Sequence, residues 1–120
     1  RKIPLHNNGE PRRMWLHAKD TANAVIKIIE SQKTNEIYNV SGNFEQKNID
    51  TVNKILDLYN KNVVDSNNKN IFDFSYDRDG QDVRYSVDDT KLQKLGWEAK
   101  CNFDDELPEI VNYYKERFIW

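Results

Sequence analysis

Ten residues, Tyr76-Asp77-Arg78-Asp79-Gly80-Gln81-Asp82-Val83-Arg84-Tyr85, hold two arginines, three aspartates and one glycine. Arginine offers a planar fork of donors that fits phosphate oxygens. Glycine lets backbone come close to a ligand. Arg12, Arg13 and Asn48 are isolated polar groups that can converge with Arg78 and Arg84 on an anion. A plainer account also fits each of them. The loop can be a solvated hairpin, Arg12 and Arg13 can sit on a surface turn, Asn48 can cap a helix, and Arg78 can pair with Asp77 or Asp82.

Other chemistry is absent from the pattern. There is no Gly-x-Gly-x-x-Gly turn and no phosphate-binding Gly-x-x-x-x-Gly-Lys loop. His6 and His17 are the only histidines and have no acidic or cysteine neighbour at metal-ligand spacing. Asp88-Asp89 and Asp104-Asp105 fall at expected helix starts, where capping explains them. The chain therefore carries no expected catalytic residue, cofactor ligand or metal ligand of its own.

Composition narrows the class further. A chain of 120 residues suits one domain, residues 1–120, and can build a core without staples. A net charge of −2 argues against nucleic-acid or membrane-surface binding, which needs a basic excess. The single cysteine, Cys101, fits a reducing compartment, and a cytoplasmic location is expected. No apolar run is long enough to cross a membrane. The chain starts at Arg1 rather than at methionine, so a piece of a longer protein is expected.

The elements that must position these residues follow from periodicity and turn signals. Lys2–His6 reads as a short edge strand, and Asn7–Pro11 as a turn. Trp15–Ala18 reads as a second strand. Asp20 is the expected cap of a helix running to about Gln32, with Ala22, Val25, Ile26 and Ile29 as its buried stripe, widened by Ala24 and Ile28. Glu36–Ser41 reads as a strand and 43–47 as a loop. Asn48 opens a helix striped by Val52, Ile55, Leu56 and Tyr59. Residues 60–70 read as the most flexible stretch. Strands Ile71–Tyr76 and Arg84–Val87 flank the charged loop. Asp88 or Asp89 caps a short helix that packs through Leu92 and Leu95 and ends at a left-handed Gly96, and Trp97 folds back onto the core. The last helix starts near Asp104 with Pro108 in its first turn, and buries Leu107, Ile110, Val111, Tyr114 and Phe118. The class is α/β, with short strands, about four helices and no Rossmann unit.

The motifs have an order. Pro4-Leu5-His6 comes first, then Arg13-x-Trp15-Leu16-His17-x-x-Asp20, Glu36-Ile37-Tyr38-Asn39-Val40-x-Gly42 and Asn48-Ile49-Asp50. Asp77-Arg78-x-Gly80-x-Asp82-x-Arg84-Tyr85, Asp88 to Lys91, and Leu95-Gly96-Trp97 complete it. This order resembles the C-terminal lobe of the NAD-dependent sugar-nucleotide epimerase/dehydratase family, the extended short-chain dehydrogenases, and within it the branch acting on dTDP-glucose. The resemblance implies a substrate-binding lobe whose NAD and catalytic Tyr-x-x-x-Lys belong to a Rossmann domain that this chain lacks. It places Pro4, Leu5 and His6 along the nucleobase, Arg13 on the diphosphate and Asn48 on the nucleotide portion. Asp77, Arg78, Gly80 and Gln81 would close over ribose and phosphates. The implied parent is a lyase and a homodimer. It oxidises the sugar at C4 with NAD, loses water across C5 and C6 and returns the hydride to C6. The alternatives are a lobe for a UDP-sugar enzyme, or an interaction module of the same fold. The sequence departs from the family pattern at Met14, His17, Asp79, Gln81 and Val83, where Asp, Tyr, Pro, His and Arg are usual, leaving the loop less rigid and one charge poorer. An apolar patch is expected where the Rossmann domain would meet this lobe.

Overall fold

The β-structure is made by short segments far apart in the chain. β1 (Ile3–Pro4) pairs in parallel with β4 (Phe72–Asp73), and β2 (Arg12–Trp15) pairs antiparallel with β3 (Phe44–Lys47). A 3-10 turn covers His6–Gly9. Four helices complete the α/β fold among the described residues: α1 (Ala18–Glu30), α2 (Asn48–Tyr59), α3 (Thr90–Gln93) and α4 (Phe103–Arg117). This computed structural model describes residues 2–59 and 71–117. The expected flexible stretch 60–70 and Phe118 lie outside the described residues. The radius of gyration is 17.4 Å, against about 14 Å for a compact chain of this length.

The tightest packing joins α1, α3 and the segment after α3. Ala24 and Leu92 are fully enclosed and Trp97 nearly so, with Leu16, Ile28, Tyr38, Val40, Leu95 and Ala99 around them. Asp20 fixes this cluster. Its side chain is buried and accepts backbone N–H bonds from Lys100 (3.1 Å) and Cys101 (2.9 Å), and its carbonyl accepts from Trp97 Nε1 (3.2 Å). Burial pushes the Asp20 carboxyl pKa up, but the N–H bonds and the nearby His17 outweigh it and hold the group below its ordinary value.

That anchor overturns two expectations. Asp20 does not cap α1, because the helix begins two residues earlier. His17 is the cap, its Nδ1 accepting from Lys19 N–H at 3.0 Å. The helix is also rotated. Asp20, Ala24 and Ile28 line the inward face at i, i+4, i+8, while Ala22 is exposed and Val25, Ile26 and Ile29 are 51%, 52% and 62% exposed. Of the expected stripe, Ala24 and Ile28 face the core, and Ala22, Val25, Ile26 and Ile29 form an open apolar surface.

Three strand expectations also change. Residues 36–41 keep a strand's alternation, with Tyr38 and Val40 against the core and Ile37 87% exposed. They form no ladder, because no strand among the described residues lies beside them. β3 forms instead over 44–47, read above as loop from its polarity. Its hydrogen-bonding partner is β2, which starts at Arg12 rather than at Trp15, and its charges are neutralised by Glu10 on Lys47 and Arg84 on Glu45. Gly42 is required at the approach to β3, since a Cβ there would lie 1.6 Å from the Trp15 carbonyl oxygen. β3 runs directly into α2 with no residue between Lys47 and Asn48. The 71–76 strand shrinks to Phe72–Asp73, because Asp73 Oδ1 accepts from Ser75 N–H and turns the chain away. The 84–87 strand reduces to one parallel bridge, Arg12 to Arg84.

The end of α3 matches expectation, with Gly96 at φ +84° and Trp97 buried. Asp88, not Asp89, makes the side-chain cap, accepting from Thr90 N–H at 2.8 Å. α4 starts at Phe103, capped by Asn102 Oδ1 on the N–H groups of Asp104 and Asp105. Pro108 therefore falls in the second turn, and the Asp104 carbonyl receives no N–H from that position. Leu107 and Val111 are buried against α2, whereas Ile110 and Tyr114 stay 38% and 50% exposed along an apolar cleft with Ile55 and Tyr59.

Asp20→Asn presents an amide N–H to a backbone donor in place of a carboxylate oxygen. It should lower unfolding stability by roughly 1–3 kcal/mol in urea titrations. Because the folded-state pKa of Asp20 is depressed, its contribution is present above about pH 4 and is lost as pH falls through the folded value. The acid-side difference between wild type and Asp20→Asn should therefore shrink, as read by melting temperature.

Candidate functional site

The charged loop is strung between the two sheets. At one end, Asn7 N–H donates to the Tyr76 carbonyl (3.2 Å) and Arg78 N–H donates to Asn7 Oδ1 (3.1 Å). At the other, Arg12 N–H donates to the Val83 carbonyl (2.7 Å) and Tyr85 N–H to the Arg12 carbonyl (3.3 Å). Between these anchors Gln81 N–H closes a turn onto the Arg78 carbonyl, and Gly80 stands open at φ +69°. β1, the 3-10 turn, β2 and the loop are thus one connected corner.

Arg13 is the best-held cation in that corner. Its Nη1 donates to the carbonyls of Arg12 (2.7 Å) and Asp82 (3.1 Å), and its guanidinium lies 4.7 Å from the centre of the Tyr85 ring. Tyr85 is itself held, since its phenol bonds to the Asp82 carboxylate, which pushes its pKa up. Arg13 has no carboxylate partner among the described residues. Both Nη1 protons are directed at carbonyls, so the edge formed by Nε and Nη2 is the one left for a ligand. That edge is the side-on fork that grips two oxygens of one phosphoryl group.

The other expected residues divide. Pro4 is exposed on a groove shared with Ile3, Asp73 and Tyr76, and His6 meets Tyr76 edge-on at 6.2 Å between ring centres. Leu5 is buried and does not line that groove. Asp77, Arg78 and Gly80 are exposed on the loop, and no carboxylate lies within ion-pair distance of Arg78 among the described residues. Asn48 donates its N–H to the Pro11 carbonyl at 3.0 Å and begins α2 beside the 3-10 turn, where Gly9 packs on Ile49. Arg84 does not converge with the others. It forms a two-pronged pair with Glu45 (2.5 and 3.3 Å), which holds the Glu45 carboxyl below the usual range. Arg12 contributes backbone, with its side chain exposed. No group of three or more potential metal ligands occurs among the described residues. No helix among them is long and apolar enough to cross a membrane.

Residues 1–110 match the family described as GDP-mannose 4,6 dehydratase. A probable dTDP-glucose 4,6-dehydratase of Sinorhizobium fredii is 38% identical across 98% of this chain and 34% of its own length. A dTDP-glucose 4,6-dehydratase of Escherichia coli is 31% identical over the same shares. Among solved structures, the dTDP-glucose 4,6-dehydratase DesIV of Streptomyces venezuelae, with NAD and TYD bound, superposes with TM-score 0.82 at 27% identity. It covers 97% of this chain and 34% of that one. The enzyme of Bacillus anthracis, in complex with NAD, gives 0.79 at 29% identity over 98% and 35%. This chain spans about a third of the length of these relatives.

Two contributors were not singled out from sequence. Tyr85 was read as a strand residue closing the charged motif and given no role of its own, yet it carries Arg13. Asn7 was read only as a turn residue, yet it clasps the loop from both sides. Its signal was the run Asn7-Asn8-Gly9, since asparagine tolerates φ > 0 and its amide can replace backbone. All three residues have positive φ (50°, 56° and 72°). Asn7→Ala should strip the Arg78 amide of its acceptor. Amide exchange at Arg78 should accelerate at least severalfold in hydrogen–deuterium exchange, while exchange at Ala24 and Leu92 in the core should not change.

Proposed function

This chain belongs to the GDP-mannose 4,6 dehydratase family of sugar-nucleotide dehydratases, and from that membership we propose that it is the lobe that holds the nucleoside diphosphate of a nucleotide sugar in a dTDP-glucose 4,6-dehydratase. The observation that carries the reading is Arg13, a guanidinium fixed by Tyr85 and the Asp82 carbonyl with its side-on fork unspent. Arg78 rides on a loop hinged over the same corner.

In this reading Pro4 and His6 flank the base over Leu5. Arg13 grips the diphosphate, Asn48 bonds the nucleotide portion, and Asp77, Arg78, Gly80 and Gln81 close from the loop. Gly80, with nothing within 4 Å of where a Cβ would stand, leaves the loop backbone approachable. Two guanidiniums from separate segments fix both ends of a diphosphate. Binding energy collected there positions a sugar for chemistry carried out by other groups.

The residues here do not fit NAD, because the described chain has no glycine-rich strand–helix turn and no Rossmann unit. We assign the cofactor, and every chemical step, to a domain of the parent outside these residues. Two surfaces support a docked neighbour. The stretch 36–41, which joins no strand among the described residues, offers backbone donors and acceptors other than the Ile37 carbonyl, which Lys91 Nζ holds, and α1 offers Val25, Ile26 and Ile29. The single free cysteine suits a reducing, cytoplasmic setting.

Calorimetric titration of the full-length protein with dTDP, UDP and GDP tests the reading. dTDP should bind tightest, and a preference for UDP or GDP would move the protein to another branch of the family. Arg13→Ala should weaken dTDP binding by about 1.5–3 kcal/mol, the range for a charge-assisted hydrogen bond. Unchanged affinity in both Arg13→Ala and Arg78→Ala would remove the diphosphate clamp and leave an interaction module of the same fold.

A further inference from the structure

The β2–β3 ribbon has two chemically different faces. On one, Lys47 meets Glu10 at 2.7 Å and Glu45 meets Arg84 at 2.5 Å, so its charges are satisfied within the protein. On the other, Arg13 stands directly opposite Gln46 in the register. The same face continues to Trp15 opposite Phe44, and both of these rings pack on Phe103 (5.7 and 4.9 Å between centres). Gln46 therefore stands between an aromatic wall and the guanidinium of Arg13.

Its amide is incomplete there. Gln46 Nε2 is buried and has no acceptor, and Gln81 Oε1 is buried and has no donor, among the described residues. Gln81 immediately precedes Asp82, whose carbonyl accepts from Arg13. A buried donor left unpaired is costly, and folded chains seldom keep one without a use. Opposed residues in an antiparallel pair have Cβ atoms about 4.5–5.5 Å apart. The Gln46 amide and the Arg13 guanidinium thus leave the ribbon side by side, one neutral donor beside one charged fork.

Resting on the reading of Arg13 as a diphosphate ligand, we propose that Gln46 is a second diphosphate ligand on β3. Its Nε2 donates to a phosphoryl oxygen held by the Arg13 fork. Gln46 adds a directed hydrogen bond without charge, so it both fixes which oxygens face Arg13 and strengthens the hold on the diphosphate.

The test uses the full-length protein, with dTDP as ligand and melting temperature as a second readout. Gln46→Met keeps the volume and removes the donor. It should weaken dTDP roughly tenfold without lowering the melting temperature of the free protein, since an unpaired polar atom leaves the interior. Gln46→Glu keeps the shape and sets a carboxylate against the diphosphate, and should weaken dTDP further. If Gln46→Met and Gln46→Glu bind dTDP as wild type does while Arg13→Ala is weakened, Gln46 is only packed and the inference is wrong. If Arg13→Ala binds as tightly as wild type, or wild type does not bind dTDP, the underlying reading fails and takes the inference with it.

Discussion

One buried carboxylate decides how this lobe is put together. Asp20 ties the start of α1 to the backbone at 100–101 and, through its carbonyl, to the indole of Trp97. Those bonds choose which side of α1 faces inward. Ala24 is small enough to let Leu92 and Trp97 approach, and the bulkier Val25, Ile26 and Ile29 are turned outward. Hydrophobicity alone favours the opposite rotation, because Val25, Ile26 and Ile29 bury more apolar area than Ala24 and Ile28. Specific polar satisfaction wins here, and the apolar stripe is freed to be a surface.

The binding corner sits at the other end of β2 and depends on that framework indirectly. Leu16 packs in the core while Arg13, three residues earlier, points at the loop. The ribbon thus carries rigidity from core to corner over a short distance. The loop needs no secondary structure of its own. Two asparagine bonds at one end and two Arg12 backbone bonds at the other hold it. Its ends are fixed and its tip, at Gly80, is open.

What was legible in the sequence was whatever is decided locally. Helix periodicity gave the existence of all four helices. Gly96 and Trp97 behave as their types dictate, and acids at the start of α4 with bases at its end follow the helix dipole. Arg13, Arg78 and Gly80 were marked by residue type and order, and the structure gathers their segments. What was not legible is decided between distant segments. The strand at 44–47 exists because β2 can pair with it. The strand expected at 36–41 lacks such a neighbour, although its alternation is intact. The rotation of α1 hangs on N–H groups eighty residues away. Arg84 looked like an anion ligand until Glu45, from another strand, was found to hold it.

The junction between β3 and α2 has a consequence for how this family diverges. The chain passes from the last strand residue, Lys47, to the first helical residue, Asn48, with no slack, and Asn48 is pinned to Pro11. An inserted residue there would either swing α2 by about 100° or slip β3 by one residue and turn its side chains to the opposite face. Substitutions from 43 to 59 can be absorbed one at a time, but changes in length cannot. In diverged copies of this lobe, gaps should therefore be displaced to the turn after α1, and residues 42 to 59 should form an ungapped block even where few of their side chains are retained.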